Sequence, residues 1–413
     1  MTSKLRINRA VEGATVDSKE VSATLSEVFS DLSAPQERYC TLGKLGYVPL
    51  QEGLGVTFGR KDTQFVTRNH EAFSMRVEVS IGNTRPLIPL NVDPPLHSKY
   101  RRLLAPLLSY TRMDKQEADI ARRANAYIDG FIARGECNFS NEFADPFPSS
   151  VFLGLVGLPE DELAGFLALR DGILHPDLTD PAAKIDQAAR NRVVYATGEK
   201  VYDYFERLIA LRARQPTDDL ISMLLSSEIE GQKLTSEEIQ DICYLFIVAG
   251  LDTVGDALTC SFAFLAQNPG HRLQIVNNPS IIPVAVEELL RWESPAPGGT
   301  PRIVTCPVEL PSGARLEKGT RVMPHWGAAN MDADVFGDPM EVRFDRTDNP
   351  HFAFGSGIHT CMGAFLARRE LCVTMKEWHA RIPDYAIKPG HEELEYPTGL
   401  RHVKNLMLTW PAR

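Results

Sequence analysis

From Thr235 to Gln267 the chain runs without a proline and is apolar over most of its length. Thr235 with Glu238 forms a capping box at one end, and Asn268-Pro269-Gly270 stops the helix at the other. Such a helix, about 32 residues and roughly 48 Å long, is too apolar to lie on a surface and has to cross the middle of the molecule. Helical periodicity recurs at 112–135, 186–214 and 283–292, whereas short β-type runs with turn residues cluster near 308–322. The fold class expected is therefore mainly α with a minor β part.

The centre of that helix reads Ala249-Gly250-Leu251-Asp252-Thr253. Gly costs ~1 kcal/mol against Ala in a helix interior, Asp is a poor interior residue, and Thr can bond back to the carbonyl four residues earlier and open the ladder. A local rule broken where packing matters most marks a functional site, the plainer alternative being a tolerated kink with a solvated Asp.

Net charge of -10 and a surplus of acidic residues argue against nucleic acid as a partner. Met1 to Val21 lacks the apolar stretch of a signal peptide or membrane anchor, so the expected location is the cytoplasm, with no membrane contact. The run Tyr244 to Leu251 ends at Asp252, short of the ~20 residues a spanning helix needs. Seven cysteines, an odd number with no CxxC pair, fit reduced thiols and neither a disulfide framework nor a zinc ribbon. No repeat or linker separates two cores, so residues 1–413 are expected to form a single domain and a monomer.

One cysteine has unusual neighbours, in Gly355-Ser-Gly-Ile-His359-Thr-Cys361-Met-Gly363. A dinucleotide fingerprint fits poorly, because Thr360 stands where the third glycine belongs. A zinc site needs further ligands at proper spacing, and a nucleophilic thiol next to His359 lacks an obvious orienting acid. The remaining chemistry is a thiolate bound axially to a large planar cofactor. Glycines at 355, 357 and 363 let backbone pass close to a flat face, and Cys361 opens a helix whose N–H groups favour charge on sulfur.

Residues Phe354 to Gly363 resemble the haem-binding loop of the cytochrome P450 family, which runs F-G-x-G-x-H-x-C-x-G and continues L-A-R, here Leu366-Ala367-Arg368. Three further motifs of that family follow the expected order, covering the chain from about Asn91 onward: Ala249 to Thr253 as the oxygen-activation segment, Glu288 and Arg291 as the E-x-x-R pair, and 330–346 as the meander. "RIPDYAIKPG" and "GLDTV" are most similar to the soluble bacterial camphor-hydroxylase type, although Arg85 stands where an ungapped match puts those enzymes' hydrogen-bonding Tyr. The resemblance implies a single-domain triangular helical prism with a minor β-rich lobe and haem b (iron protoporphyrin IX).

It also implies roles. Cys361 would be the axial ligand of the iron, with Phe354 and Gly355 beside the sulfur and giving it a backbone N–H, and Gly363 and Ala249 against the haem. His97, Arg101, Arg302 and His359 would clamp the two propionates. Thr253 and Asp252 would be catalytic, relaying protons to oxygen in a dry pocket, and Glu288 and Arg291 structural, joined to the meander through Arg343 or its neighbours. Substrate contacts are expected from Arg85, Ile88, Leu90, Val248, Pro297, Gly298 and Thr398. The implied reaction is hydroxylation of an unactivated C–H bond of a small apolar substrate with O2. With only a short segment after Cys361, electrons are expected from a separate iron–sulfur ferredoxin and its reductase, docking on a basic patch of Lys99, Arg101, Arg102, Arg112 and Arg369. Two other readings are a peroxide-driven peroxygenase of the same fold, for which Arg85 in the pocket is the one hint, and a non-catalytic haem or ligand-binding protein.

Overall fold

The structure, a computed structural model, describes residues 27–50, 53–77 and 81–411. The reading of Met1 to Val21 falls outside the described residues. The central helix is present and is broken where its sequence is weakest, as Ser236–Gly250 and Asp252–Gln267 with Leu251 between them. The capping box forms as expected: the Glu238 N–H donates to Thr235 Oγ1 at 3.1 Å and the Thr235 N–H to Glu238 Oε2 at 2.7 Å. The span 112–135 is less regular than its periodicity suggests, dividing into Tyr110–Lys115, Glu117–Phe131 and a 3-10 turn, Ile132–Arg134, which ends on Gly135 at φ 71°.

The two halves of the central helix belong to different cores. Asp252–Gln267 packs with Glu117–Phe131, Ile282–Glu293 and Ala364–Arg381 around an aromatic cluster. There Phe262 stacks on Phe139 at 4.4 Å and meets Trp378 edge-on at 5.2 Å. Full burial of each such side chain contributes about 1.5–3 kcal/mol. Ser236–Gly250 packs instead with Leu163–Leu174 and Gln187–Arg214. The break at Leu251 therefore falls on the seam between the cores, and Leu366, five residues after Cys361, touches both. By length and apolarity alone 236–267 could span a membrane, but 72% of its most apolar window is buried inside the protein.

The β part is small. A five-stranded sheet runs in the order Tyr47–Pro49, Leu54–Thr57, Arg321–Pro324, Arg302–Val304, Phe73–Ser74, and only the second and third strands pair in parallel. The expected β region 308–322 supplies a hairpin, Val308–Glu309 with Arg315–Leu316, and part of that sheet. Val322 pairs with Arg302, whose guanidinium points inward and is only 4% exposed.

Candidate functional site

The Cys361 N–H donates to the Phe354 carbonyl at 2.8 Å, which folds the loop back on itself before the helix Ala364–Arg381 begins. Burial pushes the Cys361 thiol up. The N–H groups of Gly363 and Ala364 and the guanidiniums of Arg101 and Arg368 pull the other way. The N–H groups facing the sulfur are thus those that open the helix. Contrary to expectation, the Gly355 N–H donates to Phe352 O, at 2.8 Å. A second correction concerns Gly357. At φ 79°, with a Cβ that would stand 2.0 Å from the Thr67 carbonyl, it lets the loop press on the helix Arg60–Arg68 and makes no room for a flat ligand. Cys361 is accessible even though it lies deep in the fold. Ala249 and Gly250 are also exposed, halfway along a helix that is otherwise largely buried. Atoms of the Cys loop and of the middle of the central helix are thus both open to solvent.

At one edge of the site four basic side chains converge. The His97 and His359 rings lie 4.1 Å apart. Neither nitrogen of His97 nor Nε2 of His359 has a partner. Arg101 donates to the Thr360 carbonyl and Arg302 to the Thr300 carbonyl, both at 2.8 Å. Burial and then the Arg101 charge bring His97 down to about 4, and burial and then His97 bring His359 to about 3. Burial alone takes Arg302 to about 10. No carboxylate pairs with Arg101 or Arg302 among the described residues. Buried guanidiniums need anionic partners and the open imidazole nitrogens can donate to an acceptor, so this quartet fits a ligand with two carboxylates. Among the described residues no group of three His, Cys, Asp or Glu side chains could hold a bare metal ion.

Glu288 and Arg291 are fully buried and joined by two 2.8 Å bonds. Arg291 also donates to the carbonyls of Asn330, Pro339 and Glu341, while Glu288 accepts from the Arg343 N–H, Arg346 Nε and Asn349 Nδ2. The meander is therefore bound through the Arg343 backbone and the Arg346 side chain. The side chain of Arg343 pairs with Asp345 at the surface.

Asp252 sits at the helix break, its side chain 9% exposed; it accepts from His175 at 2.6 Å and forms an ion pair with Arg170 at 3.3 Å. Burial raises its pKa, but the His175 hydrogen bond and the Arg170 charge outweigh it and hold the carboxyl below its ordinary value. The same bond raises His175, whose side chain is 37% exposed and so reaches solvent. Arg170, 3% exposed, also holds Asp145 at 2.7 Å and Asp171 at 2.6 Å. One turn on, Asp256 is driven well above its ordinary value by burial and by the Asp252 charge; its Oδ2 has no partner and its Oδ1 lies 3.5 Å from His402. Thr253 Oγ1 donates to the Ala249 carbonyl at 3.1 Å, the back-bond its position suggests. The sequence reading missed Arg170 and His175; the one available signal was a charged pair, Arg170-Asp171, inside an otherwise apolar helix.

The expected pocket residues divide. Ile88 is buried in the second core, and Leu90 and Val248 pack against it. Pro297 accepts the Gly327 N–H at 3.0 Å, and Gly298 bridges to His325. Thr398 is exposed on a bend. Arg85 is not a free cation in the pocket: it donates to Asp241 and Gln240, each at 2.8 Å, and lies 4.4 Å over the Tyr202 ring. It clasps the segment before Asp93 to two helices. The basic patch shrinks as well, because Lys99 pairs with Glu230, Arg369 with Asp114 and Glu117, and Arg101 turns inward.

A family profile described as Cytochrome P450 matches residues 272–377. A probable cytochrome P450 127A1 of Sinorhizobium fredii is 35% identical over 87% of this chain and 84% of its own length. A steroid C26-monooxygenase of Mycolicibacterium smegmatis is 32% identical over 77% of each chain. The solved structure of CYP101J2 superposes with a TM-score of 0.79 at 30% identity, covering 91% of this chain and 93% of the other.

Proposed function

The chain belongs to the cytochrome P450 family, whose cofactor is haem b and whose members listed above include monooxygenases, and from that premise we propose that it hydroxylates an unactivated C–H bond of a small apolar substrate. The observation that carries this reading is an accessible thiol under helix N–H groups together with two histidines carrying buried nitrogens that lack partners and two guanidiniums that no carboxylate pairs with among the described residues. Cys361 would hold the iron, and His97, Arg101, Arg302 and His359 would take the propionates. Bound there, haem supplies the one-electron and O2 chemistry that no side chain can.

The chain's own contribution is proton handling and exclusion of water. His175 takes a proton from solvent at Nδ1 and releases the one on Nε2 to Asp252 Oδ2, while Arg170 fixes the other oxygen of that carboxylate. Thr253 presents its hydroxyl one residue on, at the helix break. The apolar surroundings of Leu90, Val248 and Ile88 favour a terpenoid-like, fatty or alicyclic substrate, and the relative named for a steroid substrate supports that class. Electrons would come from a separate iron–sulfur ferredoxin and reductase. Arg102, which is exposed, and Arg112 have no carboxylate partner among the described residues and would offer a docking face. A soluble, cytoplasmic, single-domain monomer suits this role.

The peroxygenase alternative loses its hint, because the Arg85 charge is committed to Asp241. Incubation with an apolar substrate, ferredoxin, reductase and NADH should give hydroxylated product. Product formation from hydrogen peroxide alone, at an equal or higher rate, would overturn the ferredoxin-driven reading, and product from neither system would leave a ligand-binding protein.

A further inference from the structure

Adjacent carboxylates on the helix Ile282–Glu293 serve different partners. Glu288 grips Arg291 and the meander, whereas Glu287 reaches the Cys loop. There it holds Arg368 at two points, Nε–Oε1 at 2.6 Å and Nη2–Oε2 at 2.8 Å. Arg368 lies two helical turns after Cys361, and its guanidinium covers one face of Phe354 at 4.4 Å from the ring centroid. A buried third group completes the arrangement. His351 Nδ1 accepts the Ala353 N–H at 3.1 Å, which leaves Nε2–H to donate to Glu287 at 3.0 Å. The His351 ring stands 6.1 Å from that of Phe354.

Phe354 is the residue whose carbonyl accepts the Cys361 N–H, so this charge pair sits directly behind the sulfur-bearing turn. Arg368 is one of two guanidiniums whose field reaches the sulfur; the other, Arg101, is committed to the edge of the site. Glu287 stays ionised well into acid: burial raises it, but the Arg368 and His351 bonds bring it to about 2. Neutralised by Glu287, Arg368 acts on the sulfur as one end of a dipole; alone, it would act as a full positive charge at partly buried range, where screening is weak.

We propose that the Glu287–Arg368 pair, oriented by His351 and seated on Phe354, sets the electron-donating strength of Cys361 and hence the reduction potential of the iron it would hold. These are positioning residues, and the inference rests on the reading of Cys361 as the axial ligand. Adding an electron makes the centre more negative, so an unopposed positive charge favours reduction and an unopposed negative charge disfavours it.

Opposite signs in two single variants form the test, read as the midpoint potential of the haem-loaded full chain by spectroelectrochemistry. Glu287→Gln should shift the potential upward, Arg368→Gln downward, and the double variant should return toward the parent value. Arg368→Lys keeps the charge and guards against a folding defect; its potential should stay near the parent. Shifts of one sign in both single variants, or no shift in protein that retains its haem, would overturn the proposal. If the parent protein itself lacks the red-shifted carbon-monoxide band of a thiolate-ligated haem, the reading of Cys361 fails instead.

Discussion

Behind the Cys loop two clusters of charge are matched, Glu287 with Arg368 and His351 and Glu288 with Arg291 and Arg346; Glu370, buried farther along the Cys helix with an Oε2 that has no partner, is the exception. On the side of the helix break, Asp145, Asp171 and Asp252 share one guanidinium, and Asp256 has none. Matched, buried, hydrogen-bonded charges hold a shape. At the helix break Asp171 and Asp256 are pushed up by burial and His175 by its bond to Asp252, which itself is held low. Under the proposed function the two walls would divide the work, one fixing the cofactor side and the other handling protons.

Breaking the matched side should have the largest effect on folding. Arg291→Ala takes from the buried Glu288 its two-point partner, leaving Arg346 as its only cation, at a cost of about 3–5 kcal/mol; a urea midpoint equal to the parent's would contradict the network described. The unmatched side should respond in chemistry instead. Asp252→Asn should lower product formation about 10²-fold or more while the denaturation midpoint and haem content hold, and Thr253→Ala should divert electrons to hydrogen peroxide. Full coupling of electrons to product in both variants would remove the proton role.

A smaller effect is expected at Arg85, which belongs to neither wall. Arg85→Ala leaves Asp241 without its cation and should cost about 1–2 kcal/mol, read by chemical denaturation; a substrate affinity lost with no change in stability would restore it to the pocket. Its partner Asp241 gives an effect of pH. Burial, offset in part by Arg85, raises Asp241 from 3.8 to about 6 in the fold. A carboxyl that binds its proton more tightly when folded contributes stability fully below its unfolded pKa and loses it as pH rises through the folded one. Relative to Asp241→Asn, the parent should therefore lose stability between about pH 4 and 6; a rise over that window would contradict the assignment.

Legibility followed the same division. The Cys loop and the opening at Gly250 to Thr253 are readable because each is a contiguous stretch whose residue types conflict with ordinary packing, whereas Glu288 and Arg291 look like an ordinary i,i+3 pair and stand out only through the family resemblance. Arg170 and His175 are not readable, because an Arg and a His near a helix end look like surface residues until the fold brings Asp252 against them. Long-range pairing also explains the misplacements. Arg85 looked like a pocket cation because Asp241 is distant in sequence, and Gly357 looked like room for a porphyrin because its neighbour is the Thr67 carbonyl. Lys99 and Arg369 looked free for the same reason.

The account stands on Cys361 as the ligand of a haem held by this chain. The direct test is the carbon-monoxide difference spectrum of the reduced, haem-loaded full chain beside its Cys361→Ser variant. The parent should show the red-shifted Soret band of thiolate ligation and the variant should lose it while keeping its helical content. A variant that keeps the band, or a parent that never shows it, would contradict the account.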